Sequence, residues 1–188
     1  MKSTCKRNIR NTLKKGLART TALGLAATML STGVVQAAPK GPYSKLVSLG
    51  DSLSDTGNFY QATGQTIPPF PYFEGRASNG ILWNEWLAAK LGIPFDQADR
   101  YAWFGAMTGT TNFRSIPEAG IFFPGFKQQV DALIADLGPE GADPAALYSI
   151  WVGANDIFSW LVTQNQTPQQ VIATGVTNTI AGIHTLAF

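Results

Sequence analysis

The chain has 188 residues, of which 45% are hydrophobic and 14% charged, and its formal net charge at pH 7 is +2. Half of the 14 basic residues and none of the 12 acidic ones lie within positions 1–37, so residues 38–188 carry a net charge of −5. This mildly acidic balance excludes the basic face that nucleic-acid binding needs, and we expect no nucleic-acid partner.

The first 37 residues have the layout of a secretory signal peptide. A basic region without acids precedes an apolar stretch from Ala22 to Val35, and Ala37 completes a small-residue cleavage site. The apolar stretch is shorter than the roughly 20 residues of a membrane span. Cys5, the only cysteine, lies in this leader. We predict a signal peptide over 1–37, one domain over 38–188, and a secreted, periplasmic or cell-surface bacterial protein without disulfides.

The first element of the predicted domain is a short buried strand over Lys45–Leu49, which ends at Gly50. Asp51 and Ser52 follow at once, in a loop over residues 50–58. Because α/β sheets present their chemistry outside the carboxyl ends of the strands, Ser52 is a candidate nucleophile. The alternative is that Asp51 or Ser52 caps the next helix, since both residue types are good N-caps.

The rest of the chain alternates predicted helices and strands. Residues 61–80 form a loop rich in glycine, proline and aromatic residues. Apolar spacing predicts helices over Asn79–Leu91, Phe126–Leu137 and from Thr167 onward, and strands over Tyr101–Phe104 and Ala146–Val152. Thr167 and Gln170 have the spacing of a capping box around Pro168. This alternation predicts an α/β fold with a parallel sheet flanked by helices.

The residues around Ser52 resemble the first sequence block of the GDSL, or SGNH, family of serine esterases and lipases. Gly50–Leu53 reads Gly-Asp-Ser-Leu, the similarity continues to Asn58, and it resumes at Gly75–Gly80 and Trp83. Position 54 is Ser rather than Gly, which excludes the Gly-x-Ser-x-Gly elbow of the α/β-hydrolases. The resemblance implies a three-layer, flavodoxin-like SGNH-hydrolase fold, here incomplete at the C-terminus, and ester hydrolysis without a metal or other cofactor.

The resemblance also implies roles for three residues. Ser52 matches the family's nucleophile, and its own backbone N–H would face the developing oxyanion. Gly105 looks like the second-block glycine, although Phe104 and Arg100 depart from the usual pattern, and an ordinary turn glycine is the alternative. Asn155, in Gly-Ala-Asn-Asp, matches the third block, so its amide would be another oxyanion donor. The alternative for Asn155 is an N-cap, because a helix is predicted to begin there.

The family's Asp-x-x-His block has no counterpart in this chain. The only histidine, His184, lies beside Ile183 on an apolar helix stripe, with Ala181 three residues before it and no acidic residue after Asp156. We therefore expect this sequence to be the N-terminal portion of a longer esterase, inactive and poorly stable alone. The resemblance also leaves room for a C-terminal autotransporter barrel in the full-length parent.

Aromatic residues in loop-like stretches favour a lipidic or aryl ester substrate, and acetylated carbohydrates stay open. Two other functions compete with an esterase. A metal-dependent phosphoesterase would use Asp51, Asp55, Asn155 and Asp156, but such sites need several histidines or a dense carboxylate cluster. A secreted carbohydrate- or lipid-binding module without catalysis would use exposed Trp83, Trp86 or Trp160, although the helical spacing of Trp83 and Trp86 predicts burial.

Overall fold

The computed structural model describes residues 41–187, so the predicted signal peptide and Cys5 lie outside the described residues. Strands and helices alternate along this part of the chain. In order they are β1 (Leu46–Gly50), α1 (Asn58–Ala62), α2 (Trp83–Leu91), α3 (Phe126–Leu137), β2 (Leu147–Trp151), α4 (Ala154–Thr163) and α5 (Pro168–Ala187). Single 3-10 turns lie at Gln97–Asp99, Pro117–Ala119 and Gly138–Glu140.

The sheet within residues 41–187 consists of β1 and β2, which pair in parallel from Leu46 opposite Leu147 to Gly50 opposite Trp151. All five β1 residues are buried because helices cover both faces of the strand. Val47 and Leu49 pack on α3, whereas Leu46 packs in a second cluster with Ala88 of α2. A parallel pair layered between helices confirms the predicted α/β class.

The strand predicted over Tyr101–Phe104 is wrong as a regular strand. The segment runs along the edge of β1 opposite β2, where the N–H groups of Tyr101 and Trp103 donate to the carbonyls of Ser48 and Gly50 (2.8 and 3.0 Å). It forms only an isolated bridge, between Ser48 and Arg100, because the chain bends into a turn directly after Trp103. β2 is also less buried than predicted, since its residues are half-buried and Trp151 is 49% exposed.

The helices agree more closely with prediction. α3 begins and ends at the predicted residues, and α5 begins with the predicted capping box, in which Gln170 accepts the Thr167 N–H at 2.8 Å. α2 begins four residues later than predicted. Its start is fixed by Glu85, whose carboxylate accepts the Leu82 N–H at 2.9 Å, and Gly92 in a left-handed conformation ends it.

The outer faces of β2, α4 and α5 expose many apolar side chains. Phe158, Leu161 and Val162 of α4 are 54–76% exposed, and an apolar stripe along α5 is about half exposed (Ile172, Val176, Ile180 and Ile183). Large exposed apolar patches on soluble domains are usually interaction surfaces. Between residues 41 and 187, no helix combines the length and the hydropathy of a membrane span.

Candidate active site at the carboxyl end of the sheet

Ser52 lies in a tight turn immediately after β1. The N–H groups of Ser54 and Asp55 donate to the Asp51 carbonyl, each at 3.0 Å, and the Leu53 N–H donates to Asp51 Oδ1 at 3.0 Å. Asp51 is buried beneath the turn, whereas Ser52 is partly exposed on it. Neither residue caps α1, which begins six residues later, so the capping alternative is wrong. Within residues 41–187 the Ser52 N–H has no hydrogen-bond acceptor.

A buried glutamine fixes the end of β1 below this turn. Gln129 of α3 is 2% exposed; its Oε1 accepts the Gly50 N–H at 2.8 Å and its Nε2 donates to the Gly50 carbonyl at 2.9 Å. The Gln129 side chain thus pairs with Gly50 on the edge of β1 that also binds the Trp103 N–H. Gln129 is not among the predicted site residues, although a polar side chain on the apolar stripe of α3 (Phe126, Val130 and Leu133) indicates a buried polar contact.

Asp55 joins the Ser52 turn to the segment that carries Gly105. Its buried carboxylate accepts the Phe104 N–H at 2.8 Å and three N–H groups at the start of α1, those of Gly57, Asn58 and Phe59. Burial raises the pKa of Asp55, while these four backbone donors lower it, and burial dominates. Asp55 therefore binds the first N–H groups of α1, whose N-cap position is Gly57, and it also orients the turn at Phe104–Gly105.

Gly105 occupies a turn that requires glycine. Its φ is +82°, and a Cβ at this position would lie 2.5 Å from Asn112 Oδ1 and 2.6 Å from Arg114 Cγ. Gly105 therefore has the conformation that the turn-glycine alternative predicts. The glycine is nevertheless buried, and its N–H has no acceptor within residues 41–187, so a donor is left available. A buried N–H without a partner is uncommon and points to a use.

Asn155 lies in the first turn of α4 and points back toward the Gly105 turn. Its side-chain Nδ2 donates to the Ala106 carbonyl at 3.0 Å, and the side chain is buried. Gly153 occupies the N-cap position, so the N-cap alternative for Asn155 is wrong. A carboxamide carries two N–H donors. One is used on Ala106, which leaves the second for a ligand.

The three candidate residues come from segments that meet at one end of the sheet. Gly50 pairs with Trp151 on one side and accepts the Trp103 N–H on the other. Ser52 follows Gly50 by two residues, Gly105 follows Trp103 by two, and Asn155 follows Trp151 by four. The hydrogen bond from Asn155 to Ala106 joins two of these segments directly.

The neighbouring acids also lie in this region. Burial first, and the charge of Asp156 to a smaller extent, raise the pKa of Asp51, while the hydrogen bond from the Leu53 N–H lowers it. Asp156 itself accepts both the N–H and the hydroxyl of Thr108, at 3.0 and 2.6 Å. No group of three or more His, Cys, Asp or Glu residues between positions 41 and 187 is arranged to hold a metal ion.

Of the remaining candidates, His184 and Trp86 lie apart from these segments, whereas Trp83 contacts the Ser52 turn. His184 is exposed on α5, six residues beyond Asn178, which contacts Thr108. Trp86 is 55% exposed with the Lys90 ammonium 6.0 Å above its ring, so the prediction that it is buried is wrong. Trp83 is half-buried against Trp151 and donates from Nε1 to Ser54 Oγ at 3.2 Å, so it supports the Ser52 turn.

Comparison with known proteins gives one consistent match. Residues 46–187 match the family described as GDSL-like Lipase/Acylhydrolase. The chain is 31% identical over 121 residues to the thermolabile hemolysin of Vibrio parahaemolyticus, and this match covers 62% of this chain and 26% of the hemolysin. It is 30% identical over 145 residues to the phosphatidylcholine-sterol acyltransferase of Aeromonas hydrophila (73% of this chain, 39% of that protein). A shorter match, 36% over 64 residues, is to the sinapine esterase of Brassica napus (28% of this chain, 16% of the esterase).

The chain thus spans about a quarter of the length of the hemolysin and about two-fifths of that of the acyltransferase. The matched region contains all the segments that meet at the carboxyl end of the sheet.

Proposed function

Because the chain belongs to the GDSL-like lipase/acylhydrolase family, we propose that it supplies the nucleophile and the oxyanion hole of a serine hydrolase that cleaves carboxylic ester bonds. Ser52 is the nucleophile, and the Ser52 N–H, the Gly105 N–H and the Asn155 carboxamide are the donors to the oxyanion. One observation carries this assignment: both backbone N–H groups lack an acceptor within residues 41–187, in segments that converge beside Asn155.

The reaction follows from these positions in two steps. Ser52 Oγ attacks the ester carbonyl as a base removes its proton, and the carbonyl oxygen gains negative charge between the three donors. Collapse of this intermediate breaks the ester C–O bond, the base returns its proton to the leaving alcohol, and an acyl-enzyme remains. Water then attacks the acyl-enzyme, which releases the acid and restores the Ser52 hydroxyl. Fixed N–H donors stabilise the charge without reorganising, and each is worth roughly 2.7–4 kcal/mol of barrier in comparable sites.

The general base is the missing part of this mechanism. His184 is the only histidine in the sequence, and it lies on α5 beyond the contact that this helix makes with the Gly105 segment. We place the histidine and its carboxylate partner in sequence outside this chain. The resemblance to the family and the partial coverage of the relatives support this placement. On this basis, oxyanion donors without a base give residues 38–188 only residual activity.

The substrate is an uncharged carboxylic ester of a lipid or aryl alcohol, and the protein acts after export. Support for the substrate comes from half-buried aromatic rings beside Gly105: those of Phe104 and Phe123, which pack on the buried ring of Phe59 at centroid distances of 5.3 and 4.8 Å. Support for export comes from the basic and apolar leader in the sequence.

A pair of serine variants in the full-length gene product tests the proposal. Ser52→Ala should abolish hydrolysis of a chromogenic short-chain ester, whereas Ser159→Ala on α4 should keep it, because Ser159 lies outside the Ser52 turn. Activity in Ser52→Ala equal to that of the parent would refute the assignment. Residues 38–188 should in parallel show turnover near background, and ordinary esterase turnover would show that the base lies within this chain.

A further inference from the structure

We propose that Asp156 is a positioning residue that sets the distance between the Gly105 turn and the Asn155 carboxamide, through Thr108. This inference rests on the proposed function, since it concerns the geometry of the same oxyanion hole. It assigns a purpose to a partly buried hydrogen-bond network that the ester mechanism itself does not use.

The network begins with two hydrogen bonds to one carboxylate. Asp156 accepts the Thr108 backbone N–H on Oδ2 at 3.0 Å and the Thr108 hydroxyl on Oδ1 at 2.6 Å. A bidentate, charge-assisted contact of this kind fixes both the distance and the orientation of the two segments that it joins. Thr108 is 1% exposed and Asp156 is half-buried, so water reaches these bonds only from the Asp156 side.

A third bond orients the hydroxyl. Thr108 Oγ1 accepts from Asn178 Nδ2 of α5 at 3.2 Å, which leaves its single proton to point at Asp156. The hydroxyl therefore donates to Asp156 in one direction only. α4, α5 and the Gly105 segment are joined at this one side chain.

The consequence for the oxyanion hole lies in adjacent residues. Asn155 and Asp156 are neighbours in the first turn of α4, and they bind the Gly105 segment at Ala106 and at Thr108. Asn155 alone would join α4 to this segment by one bond, about which α4 could rotate relative to the segment. The two additional bonds from Asp156 remove that freedom, so the Gly105 N–H and the second Asn155 N–H keep one separation.

The segment has other anchors that preserve the fold when Asp156 is changed. The Phe126 and Lys127 N–H groups at the start of α3 donate to the carbonyls of Met107 and Gly109, at 2.8 and 3.1 Å. We therefore expect Asp156 variants to fold and to differ from the parent in the positions of the Gly105 N–H and the Asn155 carboxamide. A misplacement of about 1 Å in a catalytic group can lower the rate on the order of 100-fold.

The test measures kcat and KM of the full-length gene product with a chromogenic short-chain ester. Asp156→Ala should lower kcat roughly 10- to 100-fold and leave KM within about twofold, because the donors act mainly in the transition state. Asp156→Asn keeps an acceptor for the Thr108 N–H and should recover most of the lost rate. Asp131→Ala, which removes an exposed carboxylate paired with Lys127 on α3, is the matched control and should match the parent.

A substitution at Thr108 tests the same positioning role independently. Thr108→Val removes the hydroxyl donor and keeps the backbone N–H, so its loss in kcat should be smaller than that of Asp156→Ala. The double variant should be no slower than Asp156→Ala alone, because Asp156→Ala already removes the acceptor of the hydroxyl bond that Thr108→Val breaks. If Asp156→Ala fails to fold by circular dichroism, the fall in kcat of Thr108→Val at unchanged KM decides the question.

The outcomes separate this inference from the proposed function. Loss of activity in Ser52→Ala together with parental kcat in Asp156→Ala and Thr108→Val would overturn the positioning role and leave the esterase assignment intact. Parental activity in Ser52→Ala would overturn the assignment itself. A rise in KM at unchanged kcat in the Asp156 variants would also overturn the positioning role, since it would indicate a contact with the ground-state substrate.

Discussion

Replacement of Gln129 should weaken the fold at the strand end that carries the nucleophile. Gln129→Leu keeps the approximate size of the side chain and removes both bonds to Gly50. The Gly50 carbonyl still accepts from Trp103, but the Gly50 N–H loses its acceptor. An orphaned buried N–H costs about 1–3 kcal/mol and a lost hydrogen bond about 0.5–1.5 kcal/mol. The expected loss in free energy of unfolding is therefore about 2–4 kcal/mol.

Gln129→Glu gives the same site a dependence on pH. A protonated glutamic acid can accept from the Gly50 N–H and donate to its carbonyl, so it reproduces both bonds. Burial and the facing carbonyl should raise the folded-state pKa of this carboxyl above its unfolded value of about 4.3. A group with a raised folded pKa contributes its full stability below the unfolded pKa and loses it as pH rises through the folded pKa. The deficit against the parent should therefore grow by up to about 1.4 kcal/mol per pH unit above about pH 4.3.

Urea unfolding followed by tryptophan fluorescence at pH 5 and pH 7.5 measures both effects. Gln169→Leu and Gln169→Glu, on the exposed first turn of α5, are the matched controls and should show neither the loss nor its growth with pH. Gln129 variants that unfold like the parent at both pH values would refute the reasoning that this side chain holds the end of β1.

Three further substitutions test other contacts of the site. Gly105→Ala should destabilise the protein by about 1–3 kcal/mol in urea unfolding and should also lower kcat, because a left-handed φ and two close neighbours oppose a Cβ. Parental stability and parental kcat would contradict the turn geometry. Asn84→Leu should lower the free energy of unfolding by roughly 2–4 kcal/mol, because it removes the buried bonds from Nδ2 to Ser48 Oγ and the Ser54 carbonyl (3.0 and 2.9 Å). Thermal unfolding measures this loss, and an unchanged midpoint would contradict it. Burial raises the pKa of Glu85, but bonds from Arg76 and the Leu82 N–H bring it below its ordinary value. Glu85→Gln should therefore cost about 1–2 kcal/mol at pH 7 and progressively less below about pH 4.5, as the parent loses this contribution; a cost independent of pH would exclude the ion pair as its source.

The local elements of the fold could be predicted because their signals are local. Apolar residues three and four apart, closed by Gly138 and Pro139, place α3 at both ends, and Thr167 with Gln170 places the start of α5. The run that ends at Gly50 places β1 to within one residue. In each case the residues that decide the boundary lie within four positions of it.

The contacts that hold the site together could not be predicted, because their partners are distant in sequence. Gln129 binds Gly50 across 79 positions and Asp55 binds Phe104 across 49, and neither pairing leaves a periodic trace. The predicted start of α2 is wrong for a related reason. The apolar pattern extends before Trp83, but the helix begins where the Glu85 carboxylate accepts the Leu82 N–H. Trp86 follows the apolar spacing and is nevertheless exposed, since no element of residues 41–187 covers that side of α2 closely.

The most direct test of the account is the site of covalent modification by a fluorophosphonate. Treatment of the full-length gene product, followed by fragmentation mass spectrometry, should place a single phosphonyl adduct on Ser52 and none on the buried Ser54 two residues away. The Asn155→Ala variant should be modified more slowly, because the phosphonyl oxygen loses one donor. Full inactivation with the adduct on another residue, and Ser52 unmodified, would contradict the claim that this turn carries the nucleophile.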